Sequence, residues 1–250
     1  MNYHPEQYWQ KRLSQDFSLA ATGHSGYSRQ YNRWMYRLRA CRLDAALRSL
    51  GIAVRGKEVL DIGSGTGFFV EYYLRRQAAG VNGVDITDVS VQTLRRRFPG
   101  QVFQKIDISC AAAEWESRFD IVNAFDVLYH IVDDAGFSRA LHAICGACKP
   151  GAWIFITDGL NPQKADSDHV RYRSLGTYTS LFKKEGVAVK EVRPVFCRMA
   201  ARSAGYAPGS LVSRLQSKVI DMAAPLDYFC DRLHCHRERA TMWLLLCQKN

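Results

Sequence analysis

One segment constrains this chain more than any other: Val59-Leu60-Asp61-Ile62-Gly63-Ser64-Gly65-Thr66-Gly67-Phe68-Phe69. The short apolar run Glu58–Ile62, ending in glycines, predicts a strand buried on both faces. The alternating glycines predict a tight turn in which a ligand lies against bare backbone. A helix follows from position 68, and exposed amides at its start favour an anionic group such as a carboxylate. The pattern alone does not choose the ligand, because nicotinamide-binding folds use a similar turn.

The rest of the chain repeats the theme. Helices are predicted at 5–20 and 28–50, the second from the helical recurrence of Tyr31, Trp34, Met35, Leu38, Cys41, Leu43, Leu47 and Leu50. Between them Thr22-Gly23-His24-Ser25-Gly26 reads as a loop, with Ser25 or Ser28 as the cap of the second helix. After Gly51, strands are predicted at 58–62, 80–85, 101–106, 119–125, 152–157, 187–196 and 241–247. Helices at 68–77, 88–98, 134–148 and 174–185 fall between them. This alternation implies an α/β fold with a parallel sheet and right-handed crossovers. We divide the chain into an N-terminal helical cap, 1–50, and one domain, 51–250. An insertion at about 197–239 carries a helix near 209–222.

Composition bounds the partners. The apolar content of 47% and charged content of 23% are those of a globular domain. No apolar run is long enough to span a bilayer, and the polar start lacks the apolar core of a signal peptide, so a cytoplasmic protein is expected. The net charge of +10 raises the question of nucleic acid. The basic residues are scattered, with modest clusters at 29–42, 95–97 and 232–239, and read as a solvated surface. The eight cysteines are expected as free thiols. Neither Cys145-Gly-Ala-Cys148 nor the group Cys230, His234, Cys235 and His236 has the spacing of a tetrahedral site, so no metal is expected.

Two acids downstream sharpen the ligand. Asp85 closes the second predicted strand, where a carboxylate can accept both hydroxyls of an adenosine ribose. Asp107 follows the third, where it can accept an adenine amino group while Ile106 or Ile108 packs on the ring; a turn-capping Asp would look the same. Together these residues resemble the class I S-adenosylmethionine-dependent methyltransferases, over about residues 55–160. Asp61, Gly63, Gly65 and Gly67 match that family's first motif, whose acidic start nicotinamide folds usually lack. Asp85 matches its ribose acid and Asp107 its adenine acid. Residues 119–131 match the segment after strand four, and Lys149-Pro150-Gly151 the turn before strand five. The resemblance implies a Rossmann-like, mostly parallel seven-stranded sheet of order 3-2-1-4-5-7-6 with an N-terminal helical lid. It implies S-adenosylmethionine as cofactor, bound by Asp61, Gly63, Ser64, Gly65, Gly67, Asp85, Ile86, Asp107, Ile108 and Phe125.

The methyl acceptor is less legible. His130, after the fourth strand, is a candidate general base for a hydroxyl nucleophile or, equally, a packing residue. Tyr27, Tyr31, Trp34 and Tyr129 are candidate acceptor contacts. With Tyr8, Trp9 and Tyr36 they make an aromatic region that lines an apolar pocket or docks the helices on the sheet. Asp158 and His169 also fall near the expected acceptor side. No Asn-Pro-Pro-Tyr-like signature or Pro-Cys nucleophile of nucleic-acid methyltransferases is present. The expected activity is therefore O-methylation of a small molecule. N- or C-methylation, a tRNA or protein substrate, and a non-catalytic cofactor-binding regulator are the alternatives.

Overall fold

The computed structural model describes residues 3–24, 26–110, 115–164, 168–199, 211–233 and 237–250. Seven strands form one sheet: β1 (Glu58–Ile62), β2 (Gly80–Asp85), β3 (Val102–Lys105), β4 (Phe119–Phe125), β5 (Cys148–Asp158), β6 (Val187–Phe196) and β7 (Met242–Lys249). Their order is β3-β2-β1-β4-β5-β7-β6. The first five pair in parallel. β7 is antiparallel to both β5 and β6. The reversal in sequence order at β1–β4 opens a crevice beyond the carboxyl ends of the strands, where ligands of doubly wound sheets bind.

The helices are α1 (Pro5–Gln15), α2 (Leu19–Thr22), α3 (Arg29–Ser49), α4 (Phe68–Leu74), α5 (Asp88–Arg97), α6 (Asp134–Ala147), α7 (Leu175–Lys184) and α8 (Leu211–Leu233). Alternating strand residues feed two hydrophobic layers. Val59, Val81 and Ile121 pack with Tyr31, Met35, Leu38 and Leu43 of α3 on one face. Leu60, Ile62 and Val122 pack with α6 and α7 on the other. α3 thus shares the core of the sheet.

The ends of α1 and α8 differ from expectation, and the cap of α3 is one of the two serines expected. The first helix stops at Gln15, and a second begins after Ser18, whose hydroxyl caps the Ala20 amide at 3.3 Å. Ser28 caps α3 by accepting from the Tyr31 amide at 3.1 Å, while Ser25 lies outside the described residues. Within the insertion, α8 runs on to Leu233 through Pro225. Its C-terminal half is held by tertiary contacts, with Ala224 fully buried and Tyr228 against Trp34, which offset the hydrogen bond that proline removes.

The cysteine expectation holds for Cys41, Cys110, Cys145, Cys148, Cys230 and Cys247, which are free. It is corrected at Cys197, which is disulfide-bonded. Burial pushes the Cys148 thiol up to about 12 and raises Cys145 and Cys247 as well, so the CxxC pair is an inert core feature. His234, Cys235 and His236 lie outside the described residues.

Candidate cofactor and acceptor site

The glycine loop leaves β1 with three left-handed residues: Gly63 at φ 68°, Gly65 at 50° and Gly67 at 80°. Only glycine adopts this geometry without strain. The space is equally restrictive. A Cβ at Gly63 would fall 2.3 Å from Val127 Cγ2, and one at Gly65 would fall 2.9 Å from Thr22 Cγ2. The Gly63 and Ser64 amides donate to Val84 O at 2.8 and 3.0 Å, so the loop is fastened to the neighbouring strand.

Two buried carboxylates flank the loop. Asp85 Oδ2 accepts the Gly65 amide at 2.8 Å, and its Oδ1 accepts the amide and hydroxyl of Thr87 at 2.9 and 2.7 Å. Burial raises its affinity for protons. Asp61 Oδ1 accepts from Asn123 Nδ2 at 2.7 Å, and burial pushes its carboxyl up to about 7. A cation bound beside these groups would favour their charged forms and so oppose the effect of burial.

A cavity of about 360 Å³ opens beside this loop. Gly63, Gly65, Asp85, Ile86, Asp107, Ile108 and Phe125 line it. A smaller adjoining cavity shares Gly63, Gly65 and Phe125 and is lined by Asp61 and Ser64. Gly67 lines neither; it precedes α4, and a side chain there would strike Leu94. Asp107 holds its own turn through the Ser109 amide at 2.9 Å and hydroxyl at 2.7 Å. The cavity is lined by acids, bare glycine backbone and isoleucines. These features fit an adenosyl group with a zwitterionic tail.

The opposite wall comes from the N-terminal helices. Tyr3, Trp9 and Leu13 from the α1 region and Thr22 and Tyr36 line the cavity. Gln10 receives the Val89 amide at 3.3 Å and Glu6 pairs with Lys105 at 2.7 Å, so α1 is pinned across α5 and the end of β3. The Tyr3 hydroxyl is buried there without a hydrogen-bond partner.

His130 lines the cavity from the turn after β4. Its Nδ1 sits 2.9 Å from the His169 carbonyl, and Trp9 meets its ring edge-on at 4.9 Å. A carbonyl only accepts, so Nδ1 carries the proton and Nε2 keeps a free lone pair. Burial pushes the imidazole down to about 3; its hydrogen bond to the His169 carbonyl works against that shift, and the Arg12 guanidinium adds to it. Next to it, Asp126 lines the cavity in a left-handed conformation, φ 60°. Its carboxylate is held by Arg39 at 2.6 Å and the Thr157 hydroxyl at 2.9 Å.

The other acceptor candidates lie elsewhere. Tyr27 stacks on Tyr31 at 4.3 Å, Tyr31 donates to Asp227 at 3.3 Å, and Trp34 packs on Tyr228. All three pack against neighbouring elements, and none is among the residues that line this cavity. Tyr129 sits behind His130, ring centroids 4.4 Å apart, also off the cavity wall. Asp158 is fully buried, accepts the Tyr178 hydroxyl at 2.5 Å and is pushed up to about 7 by burial. Sequence reasoning missed Tyr3, Leu13, Thr22 and Asp126. Among these only Asp126, in the motif after strand four, carried a local signal.

Fold and cavity together define a class I methyltransferase. The methyltransferase domain family matches residues 31–192, and the chain belongs to this family, whose cofactor is S-adenosylmethionine. The ubiquinone biosynthesis O-methyltransferase of Albidiferax ferrireducens is 30% identical over 109 residues, 42% of each chain. That of Neisseria meningitidis serogroup C is 34% identical over 117 residues, 44% of this chain and 48% of the relative. The chain thus spans less than half the length of these curated relatives. Among solved structures, the magnesium protoporphyrin IX methyltransferase of Synechocystis with bound S-adenosylmethionine superposes with a TM-score of 0.63 at 12% identity. It covers 98% of this chain and 95% of that one. No helix among the described residues is long and apolar enough to cross a membrane.

Proposed function

We propose that this protein methylates a hydroxyl oxygen of a small molecule, with His130 receiving the hydroxyl proton. The observation that carries the reading is the tautomer of a histidine that lines the cavity: Nδ1 is spent on the His169 carbonyl, which leaves Nε2 as the acceptor. The names of the partial relatives, both O-methyltransferases, support it.

In this reading Gly63, Gly65, Asp85, Ile86, Asp107 and Ile108 hold the adenosyl half, and Asp61, Ser64 and Phe125 flank the methionine half. The cofactor, when bound, supplies a methyl group on a positively charged sulfur. Trp9, Tyr3 and Leu13 exclude water and pack an apolar acceptor. His130 Nε2 accepts the hydrogen bond of the hydroxyl and so orients the oxygen. Its weak basicity delays proton transfer until the oxygen has begun to bond to carbon and become acidic, after which Nε2 takes the proton.

The test is a turnover assay of the full chain with S-adenosylmethionine and matched acceptors bearing hydroxyl, amine or activated carbon, with bulk tRNA alongside. Methylation confined to hydroxyls supports the reading. Transfer to amine, carbon or tRNA, or tight cofactor binding without turnover on any acceptor, overturns it.

A further inference from the structure

Helix α8 presents its acids inward and its apolar side chains outward. Asp227 and Asp231 are fully buried. Asp227 receives the Tyr31 hydroxyl, and Asp231 receives the amides of Cys197, Arg198 and Met199 at 2.9, 2.9 and 3.0 Å. The half-buried Asp221 accepts from the Ser28 hydroxyl. The outer face carries Val219, Met222, Leu226, Phe229 and Leu233, which are 65%, 81%, 62%, 49% and 71% exposed. They recur at i, i+3, i+7, i+10 and i+14, which is one stripe of a helix. At 1.5 Å per residue the stripe is about 21 Å long. Elsewhere among the described residues the only exposed large apolar side chains are Val102 and Leu175. Single exposed apolar residues are ordinary; five in line mark a contact surface.

Charge identifies what covers it. The Arg37 guanidinium lies 4.7 Å over the Trp34 ring, Trp34 packs on Tyr228, and Tyr228 abuts Phe229 at 5.3 Å. The exposed arginines of α3, Arg29, Arg33 and Arg37, therefore run beside the stripe at i, i+4 and i+8; Arg29 also pairs with Asp16. Arg232, Arg237 and Arg239 are exposed at its C-terminal end, and Glu238 is the one exposed acid among the described residues of 219–239. A second copy related by a two-fold axis would bring these cationic rims together. An exposed helical stripe of Val, Met, Leu and Phe flanked by arginines matches an acyl layer under anionic headgroups.

We propose that α8 seats this protein on an anionic bilayer surface. Val219, Met222, Leu226, Phe229 and Leu233 enter the interface, and the arginines of α3 and of 232–239 meet the headgroups. The proposal does not rest on which acceptor the cavity takes.

The test is co-sedimentation of the full chain with vesicles of phosphatidylcholine alone and of an equal mixture with phosphatidylglycerol. Binding to the anionic vesicles should exceed binding to the neutral ones by about tenfold or more, and should fall as salt rises from about 0.05 to 0.5 M. Leu226→Glu with Phe229→Glu should lower it by about tenfold or more while calorimetric S-adenosylmethionine binding stays at the wild-type value. Met222→Glu alone, at the most exposed position, should weaken it in the same direction. No binding to either vesicle overturns the proposal, as does equal binding to both. A wild-type dimer that the same substitutions convert to monomer overturns it in favour of a second copy, and salt-resistant capture of a soluble protein overturns it in favour of a protein partner.

Discussion

Asp85 Oδ2 holds the Gly65 amide at 2.8 Å and so ties the end of the second strand to the glycine loop that grows from the first. The same carboxylate fastens the start of α5 through Thr87. A carboxylate has about four lone-pair sites, so it still has acceptor capacity for a ribose on the cavity side. Asp85→Ala should weaken S-adenosylmethionine binding by about 1.5–3 kcal/mol, the scale of hydrogen bonds to a charged group. Calorimetry measures this directly, and an unchanged affinity in a folded variant would place the ribose elsewhere.

His130 is held at about 3 by burial, well below pH 5, so it stays neutral across the physiological range. The profile of kcat/KM should therefore show no acid limb from this group between about pH 5 and 8. A single-proton limb near 6.5 would mean that the imidazole is solvated during turnover. His130→Ala should lower kcat by about 10²-fold with little change in cofactor affinity. Near-normal turnover would reduce the residue to packing.

How much of this was legible follows from the range of each interaction. Glu58–Ile62, Gly80–Asp85 and Phe119–Phe125 match the predicted strands, because buried parallel strands are encoded by contiguous apolar runs ending in turn residues. That Gly63, Gly65, Asp85 and Asp107 share one cavity was legible for the same reason: they sit at or just after strand ends, where a local pattern fixes their place. The part of the lining that comes from the N-terminal helices was not. Trp34 and Tyr36 are two positions apart on one helix, yet only Tyr36 reaches the cavity, while Trp34 turns to Tyr228 nearly 200 residues further along the chain. Helical periodicity says which residues share a face, not which distant element that face meets. The end of α8 was missed similarly, since Pro225 reads locally as a stop and is overridden by tertiary contacts.

Asp61 and Asp158 are both held near pH 7 by burial, but of the two only Asp61 lines a cavity, the smaller one beside the glycine loop. Between about pH 4 and 7 the folded chain keeps protons that the unfolded chain has released. The contribution of these groups to stability is thus fully present below about pH 4 and is lost as pH rises through 7. Asp61→Asn and Asp158→Asn should each raise stability at pH 8 by about 1–4 kcal/mol and flatten that slope in urea titrations. Asp61→Asn should also weaken S-adenosylmethionine binding, while Asp158→Asn should leave it unchanged. Equal loss in both variants would show a general distortion rather than a contact.

The Arg39–Asp126 pair joins α3 to the turn after β4 at 2.6 Å, with both side chains below 10% exposure. Arg39 Nε and Nη1 have no hydrogen-bond partner; the guanidinium instead lies against Tyr36 and Phe196 at 4.9 and 4.7 Å. Removing one partner of such a pair leaves a buried charge uncompensated, at a cost of about 3–5 kcal/mol, whereas removing both can be nearly neutral. Arg39→Met should therefore destabilise the fold by that amount. Because Asp126 lines the cavity, it should also raise the KM for the acceptor. Adding Asp126→Asn should recover most of the stability, and the coupling between the two sites should exceed about 1 kcal/mol in a double-mutant cycle by urea denaturation. Additive losses would show that the two side chains are merely adjacent, and that Asp126 is held in place by Thr157.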